Sequence, residues 1–498
     1  MKKEFVIVAM LLMVNLLFSA PLDIPVTRNL MESEHPVGTY AQYLETLEPV
    51  ATSYAEQSRT NDRERGTWLC IVEENLYNDL ENEIIWWTDD LAQDEMNSII
   101  VSWTGTSHID LKNTIAGYYD SDNISGVFLV GNLPAFWFEL YEDWNFDNIQ
   151  NPDEEWVQFP MEEYFVDFDG VWNDFDFDGA YEYHEGEMDA EIAIGRLRGD
   201  NLSMAGDELT IIQSWFLRNH LYRNGITGDS DLALGYIDDD WEPWQQEYHD
   251  ALLQAYDDVE MVYEINSTYA DDYRDNRWET DYEWIQVHVH SGPDAHYFYQ
   301  NNGNNYYLVH NHEIAPHDPQ ALFYNLFCCS NSRFTESNAM GSLYVLGNDH
   351  GLGSIGSTKT GSMLMFENFY APLGNDEPLG EALRQWWNSS VDVDLDSIQG
   401  WRTWFYGMAL MGDPSLKTEY EAVSVIGDID YNGFIEAYDG SLALQYTVGI
   451  DPGMGTPFPW SPTRMIFADV DGNGIVEAYD ASLILQYYVG LITEFPGE

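Results

Sequence analysis

The run "WIQVHVH" ends at His290, and 39 residues later "LFCCSNSRF" sets Cys328 and Cys329 side by side after a second apolar run. Thiol and imidazole are what nucleophilic catalysis by cysteine needs: the thiolate is the reactive form, and a base within hydrogen-bond reach must move its proton. If both runs are strands of one sheet, their carboxyl ends bring the two groups to the same edge. By spacing alone, a buried and inert cysteine at a strand end fits equally well.

A second chemistry lies in carboxylates at alternate positions. "GDIDYNGFIEAYDGSLALQYTVG" and "ADVDGNGIVEAYDASLILQYYVG" repeat near the C-terminus, with Asp428, Asp430, Asn432 and Asp439 in one and Asp469, Asp471, Asn473 and Asp480 in the other. Oxygen ligands at loop positions 1, 3, 5 and 12 with glycine at 6 (Gly433, Gly474) form the Ca2+ loop, in which alternate side chains turn to one ion and glycine allows the sharp bend. Asp stands at position 12 where ordinary EF-hands have Glu, and each loop runs into a single short helix. "DFDFDGAYEYHE" fits the same template through Asp174, Asp176, Asp178, Gly179 and Glu185. "HNHEIAPHD" carries metal-ligand types but no zinc spacing, and reads as a polar surface loop.

The elements that must position these groups are visible as apolar runs between longer polar or amphipathic stretches: "TWLCIV", "SGVFLVG", "AEIAIG", "DLALGYI", "WIQVHVH", "ALFYNLF" and "GLGSIGS". Short buried strands alternating with helices predict an α/β fold, a mostly parallel sheet covered on both faces, with its chemistry at the carboxyl ends of the strands. Cys70, inside the first run, reads as core, and His288 as alternating to the face opposite His290. His296 reads as a substrate-side residue.

Five stretches in order resemble the gingipain-like cysteine peptidases of the caspase-like clan: "VFLVGNLPA", "EYFVDFDGVW" followed by "AEIAIGRL", "HVHSG", "CCSNSRF" and "MGDPS". The resemblance implies a caspase-like sheet, peptide-bond hydrolysis, Cys329 as nucleophile with Cys328 packing before it, His290 as the partner base, and Glu191 as the carboxylate that orients the histidine. It also implies an oxyanion site built from backbone N–H groups of Cys329 and of the turn after His290, Ser291 and Gly292. Ser291 departs from the family's glycine after the histidine, which keeps a catalytically silent member in play. Met204 stands where arginine-specific relatives place an acid, so cleavage after basic residues is not implied. A vicinal disulfide between Cys328 and Cys329 is the rival reading of the cysteine pair. The duplicated loop-helix units resemble dockerin modules, which implies a cohesin-type partner met through Ala437, Tyr438, Ala478 and Tyr479, positions 10 and 11 of each loop.

The resulting organisation is a signal peptide at 1–20, an N-terminal segment at 21–66, a peptidase domain at 67–420 and a dockerin-like module at 423–498. "MKKEFVIVAMLLMVNLLFSA" has the charged start, apolar stretch and small residues of a secretory signal, so the protein is expected to be secreted or cell-surface associated, with no membrane insertion after cleavage. Three cysteines in 498 residues make no disulfide framework. A net charge of −68 repels nucleic acid and favours divalent cations. A glycan-degrading hydrolase, another cargo of dockerins, is compatible with the composition but has no motif outside the module.

Overall fold

The computed structural model describes residues 25, 36–61, 63, 65–149, 155–228, 230–300, 305–391, 399–420, 426–430, 434–450, 460 and 462–497. The expected signal peptide at 1–20 and Asn432 lie outside them. No helix among the described residues is long and apolar enough to cross a membrane.

Eighteen strands run along the described chain. They are β1 (Ser53–Arg59), β2 (Thr67–Glu73), β3 (Asn97–Thr104), β4 (Gly126–Val130), β5 (Trp137–Tyr141) and β6 (Trp156–Pro160). Next come β7 (Val171–Asn173), β8 (Tyr183–Glu185), β9 (Ala193–Leu197), β10 (Leu232–Ile237), β11 (Asp258–Val262) and β12 (Trp284–His288). The last six are β13 (His290–Ser291), β14 (Ala295–Gln300), β15 (Asn305–His310), β16 (Phe323–Phe327), β17 (Gly353–Ser357) and β18 (Met408–Gly412).

Eleven of them make one sheet in the order β1-β3-β2-β4-β9-β18-β17-β16-β12-β10-β11. All seven apolar runs of the sequence are strands of this sheet. Two blocks, β3-β2-β4-β9 and β17-β16-β12-β10-β11, are each parallel throughout. β18 lies between the blocks, antiparallel to β17 and meeting β9 at the single pair Met411–Arg196. β4, β12, β16, β17 and β18 are buried along their whole length, which is why these strands read as unbroken apolar runs rather than as alternation. Helices Glu81–Gln93, Glu208–Arg223 and Met340–Leu346 pack together as one group, and Gln245–Leu252, Glu367–Leu373 and Leu379–Val391 as another.

The domain starts earlier than Thr67. β1 pairs antiparallel with β3 as the edge strand, Tyr43 is buried, and Gly38 is tied at both ends: its N–H goes to the Glu336 carboxylate (2.7 Å) and its carbonyl takes the Arg333 guanidinium (2.6 Å). Burial of an aromatic side chain and six register pairs make residues 36–61 part of the fold, which corrects the segment boundary expected at 66.

Two motif residues are buried ties. Arg196 of "IGRL" holds Glu162 of the acidic-aromatic segment (2.9 Å), with further bonds to the carbonyls of Leu133 and Pro134. Asp413 of "MGDPS" receives the Trp87 indole, Asn219 and Arg223. Buried charges of this kind are tolerated because every one is paired and hydrogen-bonded.

Near the C-terminus, helices Ala437–Thr447 and Ala478–Tyr488 pack on each other, around Ile429, Leu442, Ala443, Trp460, Val470, Val476, Leu483, Ile484 and Phe495. Leu444 and Leu485, two residues past Leu442 and Leu483 and so on the opposite side of each helix, face outward.

Candidate active site

Strands β10, β12 and β16 are contiguous and parallel, and Ile237, His288 and Phe327 form one register row across them. The ladder runs just past this row, with the Asp238 N–H to the His288 carbonyl (2.9 Å) and the Val289 N–H to the Phe327 carbonyl (3.2 Å). Beyond it each strand delivers one group: Asp240 after β10, His290 after β12 and Cys329 after β16. His290 Nε2 meets Asp240 Oδ2 at 2.8 Å, and its ring packs against Trp241 (centroids 4.5 Å) and Tyr299 (4.9 Å). Ser291 Oγ donates to the Cys329 carbonyl (2.6 Å), joining the two strand ends.

The carboxylate beside His290 is therefore Asp240, and the assignment to Glu191 is corrected. Glu191 enters β9, and three strands, β18, β17 and β16, lie between β9 and β12, so the two are about 19 Å apart at ~4.8 Å per strand step. Glu191 instead accepts the Phe168 N–H (2.6 Å) and lies with Asp167 and Asp169, its carboxyl raised to about 7 by burial and by those two neighbours, against the pull of the Phe168 N–H. Asp240 was missed because "IDDDW" reads as surface charge; the signal that finds it is its place just after the run "DLALGYI".

Cys329 is partly accessible and Cys328 buried, and both thiols are free. The chain reverses tightly here: the Cys328 N–H returns to the Leu326 carbonyl (2.8 Å) and Ser330 takes φ +54°, a left-handed conformation unusual for serine. The Gly361 N–H points at Cys329 Sγ (3.5 Å), and the Ser330 N–H donates to the Lys359 carbonyl (2.7 Å). Burial raises the Cys329 thiol, with the Gly361 N–H opposing it; burial raises Cys328 as well.

Of the oxyanion donors expected, Gly292 is corrected: its N–H goes to the Ala295 carbonyl (3.1 Å), closing the β13–β14 hairpin. Ser291 is paired with His296 in the same hairpin. The Cys329 N–H has no acceptor among the described residues. His296 is not on a substrate side; it is fully buried, with Nε2 on the Tyr344 hydroxyl (3.0 Å), and burial holds it down to about 3. His288 stacks in the core between Tyr248 and Phe327. Met204 is exposed, its N–H on Asn338 Oδ1 (2.9 Å).

The hairpin β7–β8 carries the first candidate Ca2+ loop at its tip. Asp174 accepts the N–H groups of Phe177 and Gly179, and Asp178 that of Ala180. Ligand atoms of Asp174, Asp176 and Glu182 lie within 4.8 Å of one another. Glu182, not the expected Glu185, lies in this cluster, because β7–β8 pairing holds Glu185 opposite Val171 at the foot of the hairpin, where its carboxylate receives the Tyr183 hydroxyl. In the C-terminal module Asp428, Asp430 and Asp439 cluster within the same limit, as do Asp469, Asp471 and Asp480. Asp439 and Asp480 lie in the first turn of their helices and accept the N–H of Glu436 or Glu477 (both 2.8 Å), which aims the second oxygen back into the loop. The Asn473 N–H reaches Asp469 and Asp471. These donor sets are all oxygen and suit a hard cation. Tyr438 and Tyr479 are exposed beside Ala437 and Ala478 at the same place in the two halves.

No protein-family model matches the chain, and no curated protein matches it. Among solved structures it is similar to the Arg-specific cysteine proteinase gingipain R, at 13% identity and a TM-score of 0.50, over 73% of this chain and 81% of that one. A complex of the pro- and mature domains of the Porphyromonas gingivalis enzyme matches at 13% identity and a TM-score of 0.49, over 72% and 81%. A cohesin–dockerin complex from Acetivibrio cellulolyticus matches 15% of this chain and 96% of that one at 37% identity, with a TM-score of 0.13. The sheet order, the flanking helices and the likeness to gingipain R together make this chain a member of the caspase-like α/β fold.

Proposed function

We propose that the protein is a secreted cysteine endopeptidase that docks through its C-terminal module. The observation that carries this reading is the delivery of Asp240, His290 and Cys329 by three contiguous parallel strands at their carboxyl ends. The Cys329 thiolate attacks the peptide carbonyl carbon, the amide nitrogen leaves as the amine with a proton from His290, and water releases the acyl group. With Nε2 of His290 engaged by Asp240, that proton passes through Nδ1. The N–H of Cys329 is the donor best suited to the developing oxyanion, worth about 3 kcal/mol.

Ca2+ is the cofactor of this reading, held at the β7–β8 hairpin and in the two C-terminal loops, where it offsets carboxylate repulsion and stiffens the backbone. The exposed Tyr438, Leu444, Tyr479 and Leu485 support a cohesin-type partner, since near-equivalent faces on the two helices give it a choice of orientation. The test is to incubate the whole protein with a denatured protein mixture and Ca2+, with and without a thiol alkylator, and to map new termini by mass spectrometry. Alkylator-sensitive cleavage is the expected result. Its absence would favour a silent peptidase-like binding protein, a reading that the hairpin-closing Gly292 N–H supports.

A further inference from the structure

The turn after β17 contributes more to Cys329 than one hydrogen bond. Its backbone grips the nucleophile's loop twice, through the Gly361 N–H to Sγ (3.5 Å) and the Lys359 carbonyl to the Ser330 N–H (2.7 Å). Gly361 has φ +97°, and a Cβ there would meet the Trp144 ring (3.0 Å), the Thr403 carbonyl (3.3 Å) and Lys359 Nζ (3.5 Å), so only glycine brings this N–H to the sulfur without strain and the ammonium lies beside the same contact. Between these contacts sits Lys359, 2% exposed in a chain with 19 basic residues against 87 acidic ones. Its ammonium donates to the carbonyl of Thr360 (2.5 Å) and to that of Thr403, and lies 5.7 Å from the Trp144 ring and 5.8 Å from the Phe159 ring. No carboxylate comes within ion-pair distance of Lys359 among the described residues. A buried ammonium without an ion-pair partner costs stability and would give way to an apolar side chain of similar length unless its charge were used.

We infer that Lys359 is a positioning residue of the nucleophile, whose buried ammonium, with the Gly361 N–H, favours the thiolate form of Cys329. The inference rests on Cys329 being the nucleophile of the proposed peptidase. It adds a source of thiolate stabilisation distinct from the imidazole.

The charged and titratable groups facing this site are few. Glu142, 5% exposed, is near enough for its charge to act on both Lys359 and Cys329; its Oε2 takes the Trp144 indole N–H (3.2 Å), and it acts against the thiolate. Glu155 adds a smaller negative field on Glu142. Cys328 adjoins Cys329 in the chain, and His290 stands at the end of the neighbouring strand β12, where the Ser291 hydroxyl reaches the Cys329 carbonyl. Burial lowers Lys359 to about 8, with Glu142 and the Cys329 sulfur opposing that shift, so the ammonium persists at neutral pH. Lys359 and Glu142 thus pull the thiol in opposite directions, which gives a two-sided test.

The probe is iodoacetamide, with Cys329 attacking carbon and iodide leaving, followed over pH 5–10 by peptide mapping that separates Cys329 from Cys328. Lys359→Met is expected to slow labelling of Cys329 about tenfold at pH 7, one pKa unit upward, while Lys359→Arg retains most of the rate. Glu142→Gln should move the profile the other way. An unchanged profile in folded Lys359→Met, or in Glu142→Gln if the first variant does not fold, overturns the inference. Labelling needs no peptide turnover, so a protein with the expected profiles and no peptidase activity would refute the proposed function and leave the thiolate site standing.

Discussion

At the scale of single residues, the proposed machinery reduces to a thiol, an imidazole and a carboxylate, and each makes its own prediction. Cys329→Ala and His290→Ala should abolish cleavage of a denatured protein, whereas Cys328→Ala retains much of it, because Cys328 only fills a buried slot. Asp240→Asn should keep the fold and lower kcat by roughly 100-fold, within the range for loss of aligned acid–base transfer. Glu191→Gln should alter kcat by less than about threefold on the same scale; a collapse of activity there with Asp240→Asn unaffected would restore the carboxylate first expected. That Cys329 and His290 stand at neighbouring strand ends was legible, because an unbroken apolar run marks where a strand stops. Asp240 was not, since its meaning depends on β10 being the neighbour of β12, and neighbour relations in a sheet are set by crossovers, not by local pattern.

The elements show where local pattern suffices and where it stops. Unbroken apolar runs gave strands because both faces of the sheet are covered, and burial rather than alternation selects the residues. β1, exposed along its whole length, has no such run and escaped the reading. So did the role of Gly38: Arg333, 1% exposed, binds Gly38, Gln158 and Thr358 carbonyls from a position four residues past Cys329. A chain beginning at Thr67 should therefore lose activity and melt lower than one beginning before Gly38, a difference read by calorimetry and cleavage assay. The same contrast explains Glu185. Counting twelve residues finds a loop ligand, but antiparallel pairing of β7 with β8 removes it from the tip and leaves Glu182 beside Asp174 and Asp176. Glu182→Gln should accordingly weaken Ca2+ protection of the hairpin against proteolysis, and Glu185→Gln should not.

Over the whole molecule the excess of 68 negative charges is a standing cost, and the carboxylates crowded into loops are its most concentrated part. Burial raises Asp439 and Asp480 above the ordinary aspartate pKa near 3.9, against the N–H groups that Glu436 and Glu477 donate to them. A carboxyl raised in the folded state favours folding where it is protonated, so without metal that contribution is present at acid pH and fades as pH climbs through the raised value. Ca2+ acts with the opposite pH dependence, because it binds the ionised form. Chelation at pH 7 should therefore lower the melting of the C-terminal module sharply. Near pH 4 chelator and Ca2+ should give nearly the same melting curve, since protons then relieve the repulsion the ion would otherwise offset. The α/β domain, whose proposed Ca2+ loop sits on the β7–β8 hairpin, should shift less in the same scans of the full chain. Asp428→Lys with Asp469→Lys should remove cohesin-type binding and the Ca2+-dependent transition while peptide cleavage persists. Loss of cleavage in that variant would mean that docking and cutting are coupled through one cooperative unit.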